Sequence, residues 1–216
     1  MTIQKFLHSC LLVTVNGRKL LIDPGTFSFI EEKTSPEAIG PVDVILLTHE
    51  HPDHYHVDSV KTILKNNPQT KIITNGAVAA LLQKENIACS VIEDNQKTTE
   101  KGVSIEGHGN VHAVIYPSLP LVQNTGYFIA NRLFYPADAF TNPKRPVEIL
   151  AVPISGPWLR MSEGIDYAKE IKPKICFPVH DGILKIPGLV HRIPPVILES
   201  FGIKFTVLEI DKPREF

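Results

Sequence analysis

The sequence is poor in the features that would place it outside the ordinary soluble enzymes. It holds only three cysteines, Cys10, Cys89 and Cys176, in apolar segments without a Cys-x-x-Cys pair. That pattern argues against a disulfide framework and reads as buried thiols. No apolar run approaches the roughly 18 residues of a membrane span, and Met1-Thr2-Ile3-Gln4-Lys5 lacks the charged-then-apolar pattern of a secretory signal. A soluble, cytoplasmic chain with no membrane partner is therefore expected. The net charge is only −1, which excludes a broad field attracting nucleic acid or anionic lipid, though a few local groups could still hold an anionic substrate. Repeats, low-complexity tracts, linker-like stretches and a Gly-x-Ser-x-Gly nucleophile elbow are all missing. One domain over residues 1–216 follows, and its 43% hydrophobic content can fill a core.

What is present is histidine, nine in all, together with a regular alternation of elements. Cys10 to Val15 and Lys19 to Ile22 read as strands joined by Asn16-Gly17, a hairpin signal. Val42 to Leu47 is a continuous apolar run suited to a strand buried on both faces. Helical spacing follows from about His54 to Asn66, then strand at Lys71 to Thr74, helix at Ala77 to Lys84 and strand at Ser90 to Ile92. The middle is strand-rich, with Val103 to Glu106, His112 to Tyr116, Gly126 to Ala130 and Arg132 to Tyr135. Ile149 to Val152 and Ile175 to Val179 read as strands around a helix from Ser162, as N-cap, to Ile171, stopped by Lys172-Pro173. A helix near Pro195 to Phe201 and a strand from Lys204 to Ile210 close the chain. Strands in two groups with interspersed helices predict an α/β fold of two packed sheets covered by helices outside.

The chemistry concentrates in Thr48-His49-Glu50-His51-Pro52-Asp53-His54, directly after the buried strand. In extended chain residues i and i+2 point the same way, so His49 and His51 can meet one metal. Pro52 biases His51 toward extended geometry. Asp53 and His54 then fall at the strand-to-helix turn, placed for a second metal. Imidazole and carboxylate donors without cysteine suit zinc first, and also manganese or iron. Glu50 reads as solvent-facing. Two later stretches hold further histidines, Gly107-His108-Gly109-Asn110-Val111-His112 and Pro178-Val179-His180; on its own, an isolated histidine after a strand reads as structural or solvated.

His49-x-His51-x-Asp53-His54 resembles the signature of the metallo-β-lactamase superfamily, and Leu21-Ile22-Asp23-Pro24-Gly25 resembles its early strand. His8-Ser9-Cys10-Leu11-Leu12 and Pro178-Val179-His180 look like the branch that contains ascorbate-6-phosphate lactonase. The resemblance implies a four-layer αβ/βα sandwich with two divalent metals at one edge of the sheets. His49, His51 and His112 would bind the first metal, with His108 as neighbour or alternate to His112. Asp53, His54 and His180 would bind the second. Asp138, in Phe134-Tyr135-Pro136-Ala137-Asp138, would bridge both, although Ala137 stands where relatives usually carry glycine. Asp23 would support the metal loop; His8 has no assigned role, the resemblance bringing it near the site while a hydrogen-bonded structural histidine is the favoured reading; His56 and His191 read as surface residues. The implied activity is a hydrolase using a metal-bridging hydroxide, with Asp53 or Asp138 holding it or shuttling its proton, on a small ester, lactone or amide. A phosphodiesterase acting on a nucleotide or lipid, or a di-iron redox module, is the alternative. Trp158 could form an apolar wall of the site, and Arg160, Lys144 and Arg145 are candidate anion clamps. A small-molecule substrate and no nucleic acid are expected as partners, and homo-oligomer formation is left open.

Overall fold

The computed structural model describes residues 1–30 and 34–216. The chain begins with an antiparallel meander, β1 (Thr2–Lys5), β2 (Leu11–Val15) and β3 (Arg18–Ile22). Asn16 and Gly17 turn the second hairpin at φ +52° and +71°, the left-handed pair that matches strand twist. From β3 the sheet continues in parallel through β4 (Val44–Leu46), β5 (Lys71–Thr74) and β6 (Ser90–Val91). Parallel neighbours need crossovers, and α1 (Val57–Asn66) and α2 (Gly76–Lys84) provide two of them. The second sheet repeats the plan. An antiparallel run, β7 (Lys97–Glu100), β8 (Val103–His108), β9 (Gly126–Ile129) and β10 (Leu133–Tyr135), passes into parallel β11 (Ile149–Pro153), β12 (Ile175–Val179) and β13 (Lys204–Phe205). Helix α3 (Met161–Ile171) links β11 to β12, and α4 (Gly188–Leu198) precedes β13. The chain then returns to the first sheet, where β14 (Arg214–Glu215) pairs with β1.

Strand alternation sorts the side chains into layers. Leu20, Ile22, Val44 and Leu46 face inward against Ile105, Tyr127, Tyr135, Ile149 and Phe177 of the other sheet. Leu21, Ile45 and Leu47 face outward onto Val60, Ile63, Val78 and Leu82 of α1 and α2. Phe134, Leu150 and Val152 likewise meet Ile165, Ala168 and Leu198 of α3 and α4. The result is a sandwich of two mixed sheets with helices on both outer faces, the expected αβ/βα architecture. No helix among the described residues is long and apolar enough to cross a membrane.

Four elements differ from expectation. His112 to Tyr116 forms no strand, because His112 N–H donates to Val122 O at 3.0 Å and Ala113 N–H to Asp138 O at 2.8 Å. Those groups close a loop and are lost to a ladder. Helix α3 starts from Arg160, whose N–H the Glu163 carboxylate accepts at 2.5 Å, so Ser162 lies inside it. Helix α4 begins at Gly188 and runs through Pro194 and Pro195 to Leu198, with Glu199–Phe201 only a 3-10 turn. The closing strand ends at Phe205 because the chain crosses to the first sheet, where Ile210 bridges Lys5.

The short β1 also carries a buried charge. Lys5, 2% exposed, donates through Nζ to Pro178 O at 2.8 Å and forms an ion pair with Asp181, which His191 Nε2 contacts at 2.7 Å. His191, expected at the surface, is thereby drawn into a buried network. Burial alone would raise the Asp181 pKa, but the Lys5 charge and the His191 hydrogen bond outweigh it and hold it at about 2. A depressed carboxylate stabilises the fold above its ordinary value of 3.8 and loses that contribution as pH falls toward 2. The expected contribution is about 2 kcal/mol. Lys5→Met should lower stability at neutral pH by about 3 kcal/mol or more, since it strands the Asp181 charge. Lys5→Met combined with Asp181→Leu should recover most of that loss and remove this acid-sensitive step. Denaturant midpoints measured from pH 7 down to pH 2 check both.

Candidate metal centre

The ends of β3, β4, β10 and β12 lie at one edge of the two sheets, where chain reversals deliver polar side chains. Leaving β3, Asp23 adopts φ +46° and buries its carboxylate completely. That group accepts hydrogen bonds from Thr48 N at 2.9 Å, Thr48 Oγ1 at 2.7 Å, His54 Nδ1 at 2.8 Å and Tyr135 OH at 2.8 Å. The aspartate thus holds both ends of the Thr48–His54 loop, as expected, and also ties it to β10. Gly25, two residues on, presses so closely on this loop that a Cβ there would lie 2.0 Å from the Asp53 carbonyl carbon. The loop after β4 can pack there only over a glycine.

The site histidines are oriented by their outer nitrogens. His54 Nδ1 donates to Asp23, His180 Nδ1 to Ser155 O at 2.6 Å, and His112 Nδ1 to Ala113 O at 2.5 Å. His49 Nδ1 lies 3.1 Å from Thr48 Oγ1, whose own proton goes to Asp23, so the ring donates there too. Each ring thereby turns its Nε2 inward, the atom that becomes a ligand once it carries no proton, as in metal-ligating imidazoles.

Two groups of potential ligand atoms result, each with its members within 4.8 Å of one another. His49, His51, His112 and Asp138 form one; His8, Asp53, His54 and His180 form the other. Asp138 joins them: its oxygens lie 3.2 Å from His112 Nε2, 3.9 Å from His49 Nε2, 3.1 Å from His54 Nε2 and 3.0 Å from His180 Nε2. His49 Nε2, His54 Nε2, His180 Nε2 and Asp138 Oδ1 are buried without a well-formed hydrogen bond, His54 and His180 meeting Asp138 only as close charged contacts. Orphaned buried atoms of this kind are costly, and one or two cations among them would satisfy all four. The donor set fits a divalent pair.

The charges point the same way. Burial drives His49 well below the ordinary histidine range and lowers His51, and it takes His8 down to about 4. His54 and His180 move oppositely: burial is outweighed chiefly by Asp138, holding His54 well above the usual range and His180 up at about 9. For Asp138, burial is outweighed by the His54 and His180 charges, and for Asp53 by its contacts with His180 and His8, so both stay ionised. Protons on two histidines therefore neutralise two carboxylates, and a metal cation would displace those protons.

All seven residues expected from the sequence, His49, His51, Asp53, His54, His112, Asp138 and His180, lie in these two groups. His108 does not. It faces Glu106 Oε1 at 3.0 Å and packs edge-on against Phe134. Ala137 accepts the left-handed conformation usual for glycine, with φ +54°, so Asp138 still reaches the centre. Trp158 does more than form a wall, since its Nε1 donates to Asp138 Oδ2 at 3.0 Å. Of the candidate anion clamps, Arg145 pairs with Glu106 at 2.9 Å over the Phe128 ring, while Arg160, 85% exposed, and Lys144, also exposed, are not fixed at the site.

The unassigned His8 belongs to the second group. It is fully buried, its Nε2 is 3.1 Å from Asp53 Oδ2, and its ring centroid is 4.0 Å from that of His180. Its backbone reverses at φ +57° and its carbonyl accepts from His180 N at 3.1 Å, a cross-sheet contact that no local pattern announces.

Residues 2–180 match the model of a family described as the beta-lactamase superfamily domain. The chain is 35% identical over 189 residues to protein Rv0786c of Mycobacterium tuberculosis, covering 85% of each chain. It is 35% identical over 78 residues, 36% of this chain and 31% of the other, to a UPF0173 metal-dependent hydrolase of Aeropyrum pernix. Among solved structures, Igni18, a metallo hydrolase from Ignicoccus hospitalis, superposes with a TM-score of 0.77 at 19% identity, covering 100% of this chain and 98% of that one.

His8→Ala should weaken binding of one metal equivalent at least tenfold and spare the other, whereas His108→Ala should leave both intact. Titration of metal-free protein with a competing chromophoric chelator measures this. Equal behaviour of the two variants would remove His8 from the centre.

Proposed function

The chain belongs to the metallo-β-lactamase superfamily of metal-dependent hydrolases, and from that premise we propose that it hydrolyses the acyl C–O or C–N bond of a small ester, lactone or amide at a dinuclear centre. The observation that carries this reading is the pair of ligand groups meeting at Asp138, with four buried ligand atoms there lacking a well-formed hydrogen bond. His49, His51 and His112 would hold one ion, Asp53, His54 and His180 the other, and Asp138 both. Zinc suits the donor set first, with manganese or iron compatible. Such ions, when bound, supply Lewis acidity and bring the ionisation of water toward neutral pH.

The remaining work falls to the protein. Trp158 Nε1, donating to Asp138 Oδ2, fixes the orientation of the shared carboxylate. Asp53, with 19% of its side chain exposed, is the more accessible of the two carboxylates and can take a proton from attacking water and return it to the leaving group. The Asp23 hydrogen bonds hold His54 in place throughout. The preference for carbon over phosphorus rests on charge. A phosphodiester adds negative charge, yet of the three candidate cations Arg145 is paired with Glu106, and Arg160 and Lys144 lie exposed rather than held at the site. A resemblance to the lactonase-containing branch through His8-Ser9-Cys10 and Pro178-Val179-His180 supports the same preference.

Protein loaded with zinc or manganese should cleave members of a panel of lactones, esters and amides faster than matched aryl phosphodiesters. Chelation should abolish turnover, and Asp138→Ala should lower kcat/KM by at least about 100-fold, with Trp158→Phe falling between it and the wild type. Activity confined to phosphodiesters would contradict the carbonyl assignment.

A further inference from the structure

Between Val111 and Val122 the chain carries no charged residue, although this stretch lies largely in solvent. Val111, Val114, Ile115, Tyr116, Leu119 and Leu121 are 36% to 63% exposed. So dense an apolar display on a single loop is unusual away from a binding surface. The loop is not a frayed end. Its base is closed by His112 N–H to Val122 O at 3.0 Å and by Ala113 N–H to Asp138 O at 2.8 Å, and its tip turns through Leu119 N–H to Tyr116 O at 2.9 Å.

Under this loop is a cavity of about 200 Å³, lined by His51 and His112 and by Ala113, Ile115 and residues 119–122. Apart from the two histidines, every lining side chain is apolar. A larger depression of about 600 Å³ beside α2 and β6 includes none of the ligand candidates. The smaller one opens directly on two of them. We propose that this cavity receives an apolar arm of the substrate, an acyl chain or aryl group attached to the bond being cleaved. The proposal rests on the hydrolase reading above and narrows its substrate class.

Three features favour that occupant. The cavity is continuous with His51 and His112, so an arm lying in it sets the attached carbonyl beside the ligand groups. Its lining offers no cation to hold a phosphate or carboxylate. Its volume is below the roughly 300 Å³ of a pocket that encloses a whole ligand, which suits one arm of a molecule whose other end lies toward the metals. The exposed rim then gains by burial against that arm: each methylene removed from water strengthens binding about fourfold.

Alkyl hydroxamates test this without turnover, because the hydroxamate chelates metal and the chain extends away from it. Calorimetric titration of zinc-loaded protein with acetohydroxamate through octanohydroxamate should show affinity rising about fourfold per methylene until the cavity is filled. Leu119→Asp and Leu121→Asp should each flatten the series, with bound zinc measured as the control for folding. A flat series in the wild type, or no binding at any length, overturns the proposal. So does a flat series accompanied by loop-dependent co-sedimentation with phosphatidylcholine vesicles, which would make the loop a membrane contact. The two readings fail separately. Phosphodiester-only turnover with a steep series sinks the carbonyl reaction and keeps the cavity, whereas ester hydrolysis with a flat series does the reverse.

Discussion

Everything at the sheet edge depends on the buried carboxylate of Asp23. It accepts four hydrogen bonds, two from Thr48 and one each from His54 and Tyr135, and so joins the first sheet, the histidine loop and the second sheet at one point. A buried carboxylate with that many donors is fully satisfied, and rigid for the same reason. Thr48 passes the constraint on, since its hydroxyl both donates to Asp23 and accepts from His49 Nδ1. One aspartate therefore fixes the ring orientation of a histidine in each ligand group, although it lies in neither.

Other parts of the site are held against local preference. His8, Asp23, Ala137 and His180 all adopt left-handed backbone conformations, at φ +57°, +46°, +54° and +63°. None is glycine, and each such conformation carries a penalty on the order of 1 kcal/mol. Each follows or precedes a strand and turns a side chain, its own or its neighbour's, toward the common centre. Ala137 marks the principle most clearly, because the chain retains the turn although the usual glycine is missing. The core between the sheets, with Tyr127, Tyr135 and Phe177 fully buried, anchors these turns from below.

How much of this could be seen in advance follows from the range of each interaction. The layered architecture was legible because strands such as Ile149–Pro153 are apolar throughout and helices such as Val57–Asn66 are amphipathic. His49 to His54 was legible because four donors stand within six residues after a buried strand. His112, Asp138 and His180 come from separate loops, and local spacing alone could not bring them together; the family resemblance did. His8 reads as structural from the sequence because its place depends on a cross-sheet contact with His180 that no local pattern shows. Strand β1 escaped because its last residue is a lysine, whose burial makes sense only with Asp181, 176 residues away. Strand β7, Lys-Thr-Thr-Glu, is a polar edge strand with no apolar face to announce it. The loop from Val111 to Val122 misled in the other direction, since its β-branched residues look like strand while its amides are engaged elsewhere.

The central claim is that two cations sit side by side across Asp138. Anomalous diffraction from crystals of zinc-loaded protein, recorded on both sides of the zinc edge, tests it directly. The account predicts two peaks, one among His49, His51 and His112 and one among Asp53, His54 and His180, both in contact with the Asp138 carboxylate. A single peak that persists at saturating zinc, or a second peak away from Asp138, would contradict it.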